Sequence, residues 1–128
     1  MQGPRFTLVN LKTTFYTQPP EVARTLTIIG YTVDVRISPS GYRWDWGDGT
    51  GSTTTTPGRP YPATDVTHTY TRATDDGIAL VLRTDVTYTA RYRVDAGAWQ
   101  TIPDVLTIVG TPRQLPVKQA SAVLVAND

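Results

Sequence analysis

Cysteine is absent, histidine occurs once, at His68, and lysine only at Lys12 and Lys118. Without cysteine there is neither a disulfide framework nor a thiolate metal site, so the fold must be held by its core alone. A single imidazole restricts any histidine-based proton transfer to one position. A bias of charge is missing too: the formal net charge is +1, with charged residues at 18%. That leaves no strong field to draw in nucleic acid or an anionic membrane surface. No run approaches the ~18 apolar residues of a membrane span. The opening residues, Met1-Gln2-Gly3-Pro4-Arg5, lack the apolar core of a signal peptide, which suggests either synthesis without one or a mature fragment behind a new methionine. Helical spacing is also nearly missing.

What is present is period-two alternation in a threonine-rich chain. At 128 residues the length suits one domain spanning 1–128, long enough to bury roughly two thirds of its unfolded surface. Thr25 to Ile28 alternates and Gly30 breaks the run. Val33, Val35 and Ile37 then share one face while Asp34 and Arg36 take the other, a β-hairpin with one wet side. Pro39-Ser40-Gly41 reads as a turn, followed by an aromatic core strand with Tyr42, Trp44 and Trp46 on one face. Gly47-Asp48-Gly49 must reverse the chain, because glycine tolerates positive φ and aspartate can accept from backbone amides just ahead of it. The stretch 50–65, with four consecutive threonines and Pro57, Pro60 and Pro62, reads as a long surface loop. A strand follows over Val66 to Tyr70, then a turn at Asp75-Asp76-Gly77. One long or bent strand is expected over Ile78 to Val94, with Val86, Tyr88, Ala90, Tyr92 and Val94 in register. A tight connection at Asp95 to Ala98 leads to Trp99. Strands near Val105 to Val109, Leu115 to Val117 and Ser121 to Val125 close the chain. The expectation is all-β: a sandwich of seven to nine strands, without internal repeat or domain linker.

The segment Tyr42-Arg43-Trp44-Asp45-Trp46-Gly47-Asp48-Gly49-Thr50 resembles the W-D-F-G-D-G-[ST] hallmark of PKD domains, with Trp46 replacing the usual phenylalanine. His68-Thr69-Tyr70 resembles their second hallmark, H-x-Y. Phe15 to Pro19, Pro57 to Pro62 and Tyr92 to Gln100 are similar to stretches of PKD-bearing secreted or membrane-anchored proteins of actinobacteria. The usual G-x-Y-x-V-x-L strand is here Gly77-Ile78-Ala79-Leu80-Val81-Leu82, without its tyrosine, which leaves the packing of that strand open. The resemblance implies an immunoglobulin-like sandwich at the cell surface or outside the cell. It further implies a noncatalytic module that binds protein or cell-surface polysaccharide or acts as a passive spacer. A monomeric domain is expected and, from the charge balance and the lack of a long apolar run, no nucleic acid partner and no membrane insertion.

Candidate site residues follow from chemistry and position. Trp99, after a tight turn, and Tyr61, in the proline-rich loop, are candidate ligand-binding aromatics. Arg83, Arg91 and Arg93 share a strand face unless a bulge intervenes, and this basic stripe could meet an acidic glycan or nucleic acid; exposed arginines on a wet sheet face, not interleaved with aromatics, are however common and need no ligand. Asp45 and Asp48, with Asp75 and Asp76 further on, could offer hard oxygens to calcium, which some PKD domains hold near the G-D-G turn. Their spacing is not that of an EF-hand, and no cofactor is otherwise expected. A hydrolase centred on His68 would need Asp65 as orienter and one of Ser38, Ser40, Ser52 or Ser121 as nucleophile. No G-x-S-x-G elbow supports it. Gly47 to Ser52 lacks the lysine and the helix of a phosphate loop. Tyr70, at a strand entrance, reads as structural, its ring inward and its hydroxyl on a backbone group.

Overall fold

The computed structural model describes residues 1–119. In chain order the strands are β1 (Thr7–Leu8), β2 (Lys12–Thr14), β3 (Val22–Ile28), β4 (Tyr31–Asp45), β5 (Gly51–Thr54), β6 (Thr67–Thr69), β7 (Leu80–Val94), β8 (Gln100–Ile108), β9 (Arg113–Leu115) and β10 (Val117–Lys118). Among the described residues there is no helix long and apolar enough to cross a membrane. The expected strand at Ser121 to Val125 lies outside the described residues.

The two 15-residue strands β4 and β7, each ~50 Å long at ~3.3 Å per residue, pair antiparallel from Val33↔Val94 to Asp45↔Arg83. Each takes two successive partners on its other edge. Along β4 these are β3, from Tyr31 to Ile37, and β5, from Tyr42 to Asp45. Along β7 they are β8, over Val86 to Tyr92, and β9, over Leu80 to Leu82. The result is one six-stranded sheet. Two small sheets, parallel β1–β10 and antiparallel β2–β6, form the second layer.

The layers meet over only half of the long sheet. Tyr42, Trp44, Trp46, Leu82, Val86 and Tyr88 from the large sheet and its turn close on Phe15, Val66, Tyr70, Leu115 and Val117 from the cover and β9. Both indoles are buried, at 0% and 2% exposure, and stack with centroids 5.5 Å apart and planes 8° from parallel. Alternation explains this: residues two apart on a strand project to one side, so Tyr42, Trp44 and Trp46 enter the core as a ladder. The sheets therefore pack as a β-sandwich at this end. Arg113 ties the N-terminal segment down, donating to the carbonyls of Gly3 and Pro4.

Among the described residues the second layer stops beyond Ala90. β3, β8 and the adjoining halves of β4 and β7 continue as a four-stranded arm whose apolar side chains are open to solvent. Its tip is two tight turns, Ile29-Gly30 and Asp95-Ala96, with both central residues of each at positive φ, the type I′ pattern that suits hairpins. They are linked by Thr32 and Asp95, whose main chains and side chain exchange hydrogen bonds.

Two expectations are corrected, and a third, the register of β7, holds without the burial of its far end. Pro39-Ser40-Gly41 is not a turn: β4 runs straight through it, and Ser40 is the extra residue of a bulge between Pro39↔Tyr88 and Gly41↔Thr87. The 50–65 stretch is not all loop, because Gly51–Thr54 pairs with β4; proline bars a strand only from residue 57 onward. Tyr92 and Val94 keep their register with Val86 but leave the core, Val94 being 42% exposed, since nothing among the described residues lies over them. The Gly77 to Leu82 departure resolves simply, with Leu80 and Leu82 facing inward and pairing with β9.

Candidate functional site

The G-D-G turn is a rigid hydrogen-bonded knot. Gly47 has φ 79°, and a Cβ there would sit 2.6 Å from the Val81 carbonyl oxygen. Asp45 accepts from the Gly47 amide, and Asp48 accepts from both the amide and the hydroxyl of Thr50. The remaining Asp48 oxygen lies 2.8 Å from His68 Nε2. Burial works against the Asp48 carboxylate, but the hydrogen bonds from Thr50 and His68 outweigh it and hold its pKa below the ordinary value. The His68 ring lies flat on Trp46, 4.8 Å away, and edge-on to Tyr70 at 4.6 Å. Tyr70 completes the knot by donating its buried hydroxyl to the Trp46 carbonyl, and burial pushes its pKa upward. The tryptophan N–H groups are satisfied from β5, by Thr54 and Ser52.

This geometry redistributes the expected catalytic set. Asp65 does not orient His68; it pairs with Arg59 at 2.9 Å, while His68 takes Asp48. Ser52 accepts from the Trp46 indole, and Ser40 sits at the bulge with Thr87 and Thr89. Ser121 lies outside the described residues. Asp45 and Asp48 each spend oxygens on the turn. Among the described residues no three His, Cys, Asp or Glu side chains come together to hold a metal ion, and Asp75 and Asp76 stay at their own turn.

Tyr61 stands out from the body, 84% exposed, over a groove of about 580 Å³ lined by Phe6, Leu11, Lys12, Tyr16, Pro60 and Tyr61. The floor is held by short tethers: the Gln2–Tyr16 backbone bridge, Thr14 bonding the Ala63 carbonyl, and buried Thr7 and Thr13 sharing a 2.6 Å hydrogen bond. The arrangement offers rings and proline faces with Lys12 in the lining and Lys118 Nζ 4.5 Å from the centroid of the Phe6 ring, a chemistry that stacks on sugars or on apolar side chains.

Trp99 lies on the polar outer face of the arm, half-buried. The guanidiniums of Arg36 and Arg93 approach its ring at 4.9 and 4.8 Å from the centroid, within cation–π range. Arg93 also pairs with Asp34 at 2.7 Å. That hydrogen bond, with a second from Thr25, holds the Asp34 carboxyl below its ordinary pKa. Arg91 is exposed on the same face, in register with Arg36. Arg83 shares the face too, because the β7 alternation is unbroken, but it pairs with Asp85 in the body.

The expected ligand-binding residues thus separate into two places: Trp99, Arg91 and Arg93 on the arm, and Tyr61 on the body. Sequence reasoning missed Arg36, which needed the β3–β4–β7 register to join the arginine stripe. It also missed Phe6, Leu11 and Tyr16, which come from an N-terminal stretch with little periodicity and meet Tyr61 only through the tertiary fold. No family model matches this chain, and no significant match is found among curated proteins or solved structures.

Proposed function

We propose that the chain is a noncatalytic recognition module of PKD type, an immunoglobulin-like sandwich working at or outside the cell surface, which holds a protein or a cell-surface polysaccharide in the Tyr61 groove. The observation that carries this reading is the groove itself: a tethered concave surface of about 580 Å³ with an aromatic ring standing 84% exposed at its lip. A large ring left in water on a rigid scaffold is a contact residue in waiting. The PKD assignment is supported by the two hallmark segments folding as one unit, Asp48 to His68 and Tyr70 to Trp46. A noncatalytic role is supported by the nearby Ser52 hydroxyl, which is bonded to the Trp46 indole and not to His68.

The test is binding of the whole chain to arrayed glycans, to purified cell-wall polysaccharide and to cell-surface protein extracts, with Tyr61→Ala and Trp99→Ala variants alongside. Loss of one aromatic anchor is expected to weaken binding at least ~10-fold for Tyr61→Ala. Wild-type binding that Tyr61→Ala leaves intact would move the site elsewhere, to the arm if Trp99→Ala abolishes it. A spacer is the second reading, favoured by the two paired 15-residue strands, each ~50 Å long at ~3.3 Å per residue; it expects no ligand on any of these probes.

A further inference from the structure

The inner face of the long sheet has one sequence pattern and two environments. In the body, Leu82, Val86 and Tyr88 of β7 are 0–7% exposed beneath the second layer. The same face continues along the arm through Ala90, Tyr92 and Val94, and the pairing places Val33, Val35 and Ile37, then Val22, Leu26 and Ile28 beside them; on the other side the edge strand β8 sets Ile102 beside Ala90 and carries the exposed face back towards the body through Leu106 and Ile108, beside Tyr88 and Val86. Arg24 and Gln100 are the two departures from apolar character on it. Leu26, Ile28, Tyr31, Ile102, Leu106 and Ile108 are 46–56% exposed.

The opposite face of the arm is finished for water. Thr25, Asp34, Arg36, Arg93 and Trp99 bond to one another there. An antiparallel sheet with one polar and one apolar face ordinarily packs its apolar face on something, and apolar patches of this extent mark interaction sites.

We propose that the uncovered inner face of the arm is the interface of a two-fold symmetric dimer, packed against the same face of a second copy of this chain. Area and charge select this occupant. Four strands ~4.8 Å apart, about seven residues long at ~3.3 Å each, give a footprint of roughly 450 Å². Side-chain relief raises its accessible area towards the ~800 Å² per partner of a stable dimer. With Arg24 as its only charge, set on the edge strand, the face can meet itself without repulsion and offers little to a partner chosen by charge. The space is already proportioned for it: the second layer of the body ends where the arm begins, so a second sheet ~10 Å above the arm would continue the same sandwich. Ile29, at φ 50° and 92% exposed on the tip, would then reach towards the partner's body.

The test is light scattering coupled to size exclusion on the full chain, at concentrations up to ~100 μM. Wild type is expected at twice the 14.0 kDa chain mass. Leu26→Asp with Ile102→Asp is expected to elute as a monomer, whereas Thr27→Asp on the polar face is expected to remain dimeric. Should the aspartate variant not fold, as judged by near-ultraviolet dichroism of the buried Trp44–Trp46 pair, Ile28→Thr with Leu106→Thr keeps strand-compatible residues and is expected to raise the dissociation constant at least ~10-fold. A wild-type monomer across the range overturns the proposal, even if the face later captures a different protein. A dimer that survives both inner-face variants overturns it as well. Neither outcome touches the Tyr61 groove, which is read by ligand binding.

Discussion

The body and the arm share the same two long strands, and along the inner face of those strands they differ in what lies on top. Along β7, Leu82, Thr84, Val86 and Tyr88 are buried, while Val94, six residues beyond Tyr88 on the same face, is 42% exposed. Alternation therefore fixes which way a side chain points but not whether anything meets it. The cover over the body comes from β1, β2, β6 and β10, each two or three residues long. The arm is two hairpins, β3–β4 and β7–β8, joined side by side through the β4–β7 pairing. Stability should be concentrated where apolar area leaves water, since each buried square ångström contributes about 25 cal/mol.

The largest expected contrast tests that division directly. Trp46→Ala should cost about 3–5 kcal/mol, the range for removing a buried large aromatic. It would strip the ring from between Trp44 and His68, which both stack on it. Ile102→Ala in the arm should cost no more than ~1 kcal/mol when measured at dilute protein, because its side chain is already half in water. Urea midpoints on the two variants check this. Equal losses would mean that the arm is as packed as the body and would erase the distinction.

Next in size is Gly47→Ala. The φ of 79° costs a side chain roughly 1–2 kcal/mol, and the added Cβ would press on the Val81 carbonyl oxygen 2.6 Å away, a backbone atom that cannot rotate aside. A loss of at least ~2 kcal/mol is expected in thermal or urea unfolding. Alanine at Gly30, at the arm's tip, shares the positive φ but meets nothing within 4 Å, so it should show the conformational cost alone. If the two variants lose equal stability, the close approach in the body contributes nothing.

How much of this was legible beforehand follows the same boundary. The wet-sided hairpin over Thr25 to Ile37, the aromatic ladder Tyr42-Trp44-Trp46, the G-D-G reversal and the inward Tyr70 were all readable, because each rests on local alternation or on the conformational needs of glycine and aspartate. The bulge at Ser40 was misread as a turn, since proline and glycine punctuate both; only the pairing of β4 with β7 on either side of Ser40 distinguishes them. Asp48 rather than Asp65 as the His68 partner could not be read from spacing, because 20 residues separate that pair and the fold closes the gap. The Tyr61 ring was anticipated as a contact residue, but its groove was not, because the opposite wall comes from the N-terminal segment. The bare arm was invisible for a deeper reason: the sequence of a core strand and that of an uncovered one are the same.

Acid should act on the body through Asp48. Its carboxyl is held below the ordinary value in the fold, so its contribution is complete above the unfolded pKa, about 3.9, and is lost as pH falls through the lower folded value. Stability between pH 7 and 5 should be insensitive to this group and should decline below about pH 4. Asp48→Asn should lower stability at neutral pH and flatten that decline, as read from urea midpoints across the acid range. A variant that retains the full acid slope would assign it to other carboxylates.

The smallest effect belongs to the arm's polar face. Asp34 accepts from Arg93 and Thr25, yet it stands at a wet surface, where side-chain ordering and screening cancel most of an ion pair's attraction. Asp34→Asn keeps the shape and removes the charge. Its thermal midpoint should move by only a degree or two at low ionic strength, and the difference should vanish near 1 M salt, where the screening length is ~3 Å. A shift that persists in high salt would show the Asp34–Arg93–Trp99 cluster acting through packing rather than charge. The arm would then owe part of its rigidity to its outer face, leaving the inner face free to receive a partner without having to order the strands first.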